Sequence, residues 1–252
     1  VAMTNHHWKF SVTALREGLG VSRLLLLNDF TALALALTLL HDSHKQQVGG
    51  GTPALNAAIG LIGPGTGLGV SGLFPVGYQN KWIPIAGEGG HVSLTATTEH
   101  EFAAIQQLQK RYGHVSAERV ISGAGLVDLY HALCDLKDGQ GREITTPAEV
   151  LERAQDLPSS TANEALDMFC GFLGSVAGDL ALTLGARGGI YIGGGIVPRL
   201  GERFAASPFR ARFEAKGRFQ AYLQDIPTWV IHSPVSPALQ GASQALSLTQ
   251  WQ

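Results

Sequence analysis

Gly63-Pro64-Gly65-Thr66-Gly67-Leu68-Gly69-Val70 decides how this chain folds. Apolar sequence runs into it from Ala57 to Ile62 and leaves it from Gly69 to Pro75. Both flanks read as strands, and the glycines as a tight loop joining them into a β-hairpin. The stretch is not a Walker A loop, because no Lys-Ser/Thr follows it. It is also a poor dinucleotide fingerprint: Val70-Ser71-Gly72-Leu73-Phe74 continues as a strand where the fingerprint requires a helix. Two readings stay open. The loop is either a tight turn and nothing more, or one whose N–H groups and Thr66 hydroxyl meet a phosphate.

Working outward, Asn80 to Ile85 reads as a third strand. Helices are expected over Glu99 to Tyr112 (ended by Gly113), a short one from Ser116, then Gly125 to Leu136, Pro147 to Asp156 and Ala162 to Leu184. Gly189 to Ile192 reads as a strand, with a helix starting near Pro198 and another over Ala206 to Glu214. Pro227 to His232 is a strand and Pro237 to Leu248 a last helix. Upstream, Ser11 is an N-cap for Val12 to Leu19, closed by Gly20. Arg23 to Leu27 reads as a buried strand, because its run of leucines leaves no polar face. Thr31 to Leu40 reads as a helix, and the polar, glycine-rich stretch His41 to Thr52 as the domain boundary. Strands alternating with helices in this way make an α/β fold.

The 252 residues are 45% hydrophobic and 15% charged, enough for a substantial core. A net charge of −2 argues against a nucleic-acid surface; Lys110-Arg111 and Arg210-Ala211-Arg212 are short basic runs expected to be solvated. The most apolar stretch, Leu24 to Leu40, contains Asn28-Asp29, and an Asp costs about 2.5–3.5 kcal/mol at a bilayer centre, so a membrane span is not expected. The two cysteines, Cys134 and Cys170, have no metal-site spacing and suit a reducing compartment. No basic and then apolar leader opens the chain. Met3 is third rather than first, so the chain is expected to be a fragment or a processed product.

Four further segments carry chemistry. Gly87-Glu88-Gly89-Gly90-His91 sets a carboxylate and an imidazole on a nearly bare backbone. Zinc would need three or four ligands. A polyol suits the pair better, since a carboxylate accepts from two adjacent hydroxyls and an imidazole serves a third; the competing reading of His91 is a core histidine bonded to backbone. Gly193-Gly194-Gly195 either lets a nucleobase and ribose lie on the backbone or permits close helix–strand packing. Asp29 follows a predicted strand end, where ligands gather in α/β folds. It is either a general base for a substrate hydroxyl or the N-cap of the next helix. Glu118, expected in the first turn of the helix from Ser116, is a further carboxylate for a polyol or simply one favoured by the helix dipole. A phosphate loop beside a polyol grip implies phosphoryl transfer to a sugar.

Taken in order, these segments resemble the bacterial glucokinase family of the sugar kinase, Hsp70 and actin superfamily. The collinear matches are Thr4-Asn5-His6 with Trp8, Leu27-Asn28-Asp29-Phe30-Thr31-Ala32, Gly65-Thr66-Gly67-Leu68-Gly69-Val70 and Gly87-Glu88-Gly89-Gly90-His91-Val92. Gly113-His114-Val115-Ser116-Ala117-Glu118-Arg119-Val120, Ser122-Gly123, Gly193-Gly194-Gly195-Ile196-Val197-Pro198-Arg199 and Lys216-Gly217-Arg218-Phe219 complete them. The resemblance implies an actin-like ATPase (ribonuclease H-like) fold of two α/β domains around a cleft. Residues 1–40 and 233–252 would form the smaller domain and 41–232 the larger. It implies Asp29 as catalytic base, with Asn28, Asp29, Glu88, His91 and Glu118 holding glucose. Gly65, Thr66 and Gly67 would form the second phosphate loop, with Gly193, Gly194 and Gly195 beside the adenosine. ATP and Mg²⁺ would be used, with no metal held by this chain's own residues. A cytoplasmic homodimer without nucleic-acid or membrane partners would then convert glucose to glucose 6-phosphate. The cysteine-rich zinc motif of the related ROK kinases is absent. The family's opening strands and Asp-x-Gly-Gly-Thr-Asn phosphate loop are also not found, which implies a truncated small domain and impaired activity. Other readings are a non-enzymatic sugar sensor on the same fold and an unrelated nucleotide-binding oxidoreductase.

Overall fold

The computed structural model describes residues 8–77, 81–137, 139, 142–157, 160–233 and 235–247. Thr4, Asn5 and His6, which carry part of the resemblance, and the predicted strand and helix ends at Asn80 and Leu248 lie outside them. The helices are α1 (Val12–Gly18), α2 (Asp29–Ala36), α3 (Glu99–Tyr112), α4 (Gly123–Lys137), α5 (Pro147–Asp156), α6 (Thr161–Leu184), α7 (Glu202–Ala206), α8 (Phe209–Glu214), α9 (Gln220–Gln224) and α10 (Ala238–Ser247). The strands are β1 (Lys45–Val48), β2 (Ile59–Pro64), β3 (Leu68–Val76), β4 (Lys81–Ala86), β5 (Ile190–Ile192) and β6 (Thr228–Ile231). They make one mixed sheet in the order β1-β6-β5-β2-β3-β4. β2, β5 and β6 run parallel, while β2–β3–β4 form an antiparallel meander and β1 pairs antiparallel with β6.

Side-chain alternation explains why β2 has no polar face. Ile59 and Leu61 join Tyr191, Trp229 and Ile231 in a core shared with α2 and α10. Ile62, Ile190, Ile192 and Val230 point the other way, into the large core built from α3 to α9. The central strands are thus buried on both faces, the usual environment of parallel strands under helices. α6 is the one described helix long and apolar enough to cross a membrane, and most of it is buried inside this core. Its start is capped by Ser160, and its end by Gly185 at φ +59°. α3 and α5 open with reciprocal capping boxes, Thr98 with Glu101 and Thr146 with Glu149. On the smaller side Gly241 of α10 lies on α2 so closely that a Cβ would overlap the Ala32 carbonyl.

Six expectations need correction. Arg23 to Leu27 forms no strand and pairs with no described strand. Leu25 and Leu27 still pack onto the smaller core, so burial is partly present and the ladder that makes a strand is missing. The stretch His41 to Thr52 is no mere linker: it contains β1, whose pairing with β6 is too remote in sequence for local patterning to reveal. The helix expected from Thr31 begins at Asp29 and tightens into a 3₁₀ turn at Leu37–Leu39. The segment after Pro198 is a 3₁₀ turn, and the helix expected from Ala206 is split around Ser207 and Pro208 into α7 and α8. Arg210 and Arg212 are not solvated. Arg210 donates to the Leu223, Gln224 and Ile226 carbonyls and pairs with Glu214, while Arg212 pairs with Glu101 and donates to Ser175. Backbone carbonyls and a buried carboxylate recruit these guanidinium groups inward.

Candidate active site

The site gathers at the mouth of the β2–β3 hairpin. The two strands pair in register, Gly63 opposite Gly69 and Pro64 opposite Leu68, leaving Gly65-Thr66-Gly67 as a three-residue loop. The loop closes through Gly65 N–H to the Gly67 carbonyl at 2.8 Å, and its Gly65 carbonyl accepts from Gly123 N–H at the start of α4 at 2.9 Å. The Thr66 and Gly67 N–H groups take no acceptor among the described residues, and Thr66 is exposed. Such a turn offers its backbone donors to an anion.

Gly193-Gly194-Gly195 follows β5 and packs on the same hairpin. Gly193 N–H donates to the Ile62 carbonyl at 2.8 Å, and Ile196 N–H to the Pro64 carbonyl at 3.4 Å. Gly194 sits at φ +81°, and a Cβ there would overlap the Pro64 carbonyl. The close-packing reading of this segment therefore holds at Gly193 and Gly194. Gly194 and Gly195 are nonetheless exposed next to the loop, a bare surface on which a flat ligand can lie.

Asn28 and Asp29 divide the two roles expected of Asp29 alone. Asn28 is the N-cap of α2, its Oδ1 accepting from the N–H groups of Phe30 at 2.9 Å and Thr31 at 3.2 Å. Asp29 is the first helical residue, exposed, with Oδ1 on the Phe30 N–H at 2.9 Å. The helix end is satisfied by its neighbour, so the Asp29 carboxylate is held near the positive end of α2 with its second oxygen available for a ligand.

Glu118 is in no helix. Ser116 forms an isolated antiparallel bridge with Ser93, and residues 117–120 make a turn. The backbone donors that a helix would use internally point outward instead: Ala117 N–H reaches the Val92 carbonyl and Glu118 N–H the Gly90 carbonyl, each at 2.8 Å. That crossing brings Glu118 against the Gly87–His91 segment. Its Oε1 lies 4.0 Å from His91 Nδ1, and its Oε2 accepts from Leu68 N–H at 2.8 Å, just past the loop. Arg119, stacked 4.2 Å above the Tyr112 ring, ties the turn to α3. His91 and Glu88 are exposed, so His91 is not a core histidine. Gly89 and Gly90 let this segment lie flat on β3, where a Cβ on Gly90 would overlap the Leu68 carbonyl.

One residue escaped the sequence reading. The Phe30 ring lies against both Gly63 and Gly69 and links α2 to the hairpin. The signal was present: two glycines facing each other across a hairpin leave a hollow that something must fill.

The family model for glucokinase matches residues 1–249. The glucokinase of Chromobacterium violaceum is 55% identical over 247 residues, spanning 98% of this chain and 70% of that protein. The bifunctional protein glk of Paraburkholderia xenovorans is 51% identical over 247 residues, of which this chain spans 38%. Among solved structures, a glucokinase from an Antarctic psychrotroph superposes with a TM-score of 0.85 at 33% identity, covering 96% of this chain and 74% of that one.

Proposed function

The chain belongs to the glucokinase family, and we propose that its hairpin-mouth site carries the family's ATP-dependent phosphorylation of glucose at the 6-hydroxyl, with Asp29 as base. The observation that carries this is the convergence around Gly65–Gly67. Glu118 bonds the chain at the loop's exit, Gly194 packs on its entry, and Phe30 binds the Asp29-bearing helix to the strands beneath. Glu88, His91 and Glu118 grip the sugar, with Asn28 beside the base. Gly65, Thr66 and Gly67 hold phosphate, and Gly193, Gly194 and Gly195 border the adenosine. A carboxylate is a weak base and a sugar hydroxyl a very weak acid, so Asp29 orients the hydroxyl and takes its proton late. Mg²⁺ typically takes one or two carboxylates plus substrate phosphates. We therefore propose that Mg²⁺ arrives with the nucleotide. The sensor reading finds no favour in relatives named as glucokinases.

A coupled ADP-release assay with glucose tests the activity. A polypeptide of these 252 residues, which contain no Asp-x-Gly-Gly-Thr-Asn segment, is expected to turn over poorly; one that also carries such a loop should release ADP at kinase rates. Equal activities would overturn the need for a second phosphate loop. The sugar grip also predicts selectivity. A carboxylate or imidazole that the bound sugar covers loses its partner where a hydroxyl points the other way, so kcat/KM for glucose should exceed that for mannose or galactose by about 10²-fold or more. Similar values for the three hexoses would remove Glu88, His91 and Glu118 from that role.

We also propose a homodimer, supported by the exposed Leu239 and Leu246 two turns apart on α10, and checked by sedimentation. A cytoplasmic location is proposed on the two free, buried cysteines, and fractionation of expressing cells checks it.

A further inference from the structure

We infer that Phe30 is the positioning residue that ties the base to the phosphate loop, a step that rests on reading Asp29 as the base. Phe30 lies in the first turn of α2, and its single N–H lies 2.9 Å from the Oδ1 atoms of both Asn28 and Asp29. Its ring lies across the hairpin where Gly63 faces Gly69. A Cβ on Gly63 would come 2.7 Å from the ring's Cζ, and one on Gly69 would overlap the ring outright. Carbon atoms settle about 3.5–4.0 Å apart, so the ring fills the volume that two side chains would otherwise take. Paired glycines weaken a strand, and such a pair in a strand marks close approach by another group. One turn further along α2, Leu33 meets Gly193, where a Cβ would lie 3.0 Å from Leu33 Cδ2. The same helix face is thus seated on the strands that flank the phosphate loop and on the first glycine of the segment assigned to the adenosine. Phe30 holds the base-bearing turn by its N–H and the loop-bearing hairpin by its ring, without touching the reacting atoms. It fixes the distance between the sugar hydroxyl and the phosphoryl group to be transferred.

The test is a double-mutant cycle in a protein that carries this sequence and is active in the ADP-release assay, with melting curves to confirm folding. Gly69→Ala pushes the ring off its seat and should lower kcat about 10²-fold, the scale of an ångström-sized misplacement, while glucose KM stays within about two-fold. Phe30→Leu should lower kcat less. Phe30→Leu with Gly69→Ala should recover at least about ten-fold over Gly69→Ala alone, because the smaller side chain accepts the new methyl. Losses that multiply across the cycle would overturn the inference. Should Gly69→Ala fail to fold, the pair Phe30→Leu and Phe30→Ala decides: a graded fall in kcat at constant glucose KM supports positioning, and a rise in KM at constant kcat overturns it. Asp29→Asn is assayed alongside. Near-normal turnover there overturns the base reading and this inference together, whereas multiplicative losses beside an impaired Asp29→Asn overturn this inference alone.

Discussion

Asp29→Asn is expected to lower kcat about 10²–10⁴-fold in the kinase-competent protein, the range removed with a positioned general base. The substitution is close to isosteric, and Asn Oδ1 can still accept the Phe30 N–H bond that Asp29 Oδ1 now accepts. The helix end does not depend on it either, because Asn28 supplies the cap. The loss therefore reports on the proton rather than on α2. Phosphoryl transfer passes through a loose transition state in which positioning and charge neutralisation dominate, so some turnover survives. Glucose affinity should fall far less than kcat, since Glu88, His91 and Glu118 stand on other segments. Steady-state kinetics over a glucose series, with a direct glucose titration, separates the two. A variant that keeps near-normal kcat would show that Asp29 takes no proton, and a collapse in affinity at unchanged kcat would make it a binding group only.

The legible parts of this molecule were those whose cause is local. The β2–β3 hairpin followed from glycines between apolar runs, and α3 and α5, whose Thr-x-x-Glu boxes satisfy helix donors within four residues in the structure, were read at their observed bounds. The misread parts have distant causes. Arg23 to Leu27 has a strand's apolarity, yet a strand exists only where a neighbour supplies its hydrogen bonds. Ser116 to Glu118 reads as a helix start until the Gly90 and Val92 carbonyls, more than twenty residues away in sequence, take the donors. Arg210 and Arg212 look like surface charge until Glu101 and the carbonyls at the end of α9 and just beyond it are folded against them. The site follows the same division. Each candidate residue stood out by type, but the sharing of roles between Asn28 and Asp29, the bond from Leu68 to Glu118 and the seat of Phe30 all depend on segments that meet only in three dimensions.

Glu101→Gln should destabilise the fold by about 3 kcal/mol, the low end of what removing one partner of a buried ion pair costs. The Glu101 side chain is only 6% exposed; its carboxylate accepts from Thr97 N–H at 2.7 Å, Thr97 Oγ1 at 3.0 Å and Thr98 N–H at 3.3 Å, and pairs with Arg212. Glutamine keeps one oxygen for the backbone but turns an amide toward the guanidinium, leaving Arg212 without its counter-charge. A cavity of about 460 Å³ lined by Thr98, Glu101, Asn163 and Arg212 lets water reach the stranded charge, which argues for the low end. In a domain of this size the loss corresponds to roughly 6–12 °C in Tm. Burial pushes the Glu101 carboxyl up, but the bonds from Arg212 and Thr97 outweigh it and hold the group below its ordinary value of 4.5. A depressed carboxyl stabilises the fold only while it is ionised. The gap between the native protein and Glu101→Gln should therefore be full at neutral pH and shrink as the pH falls below about 4.5 through the folded-state value. Thermal melts of both proteins from pH 7 down to pH 3 measure it. Equal Tm values at pH 7, or a gap that widens on acidification, would mean that the Glu101–Arg212 pair does not hold α3 to α8.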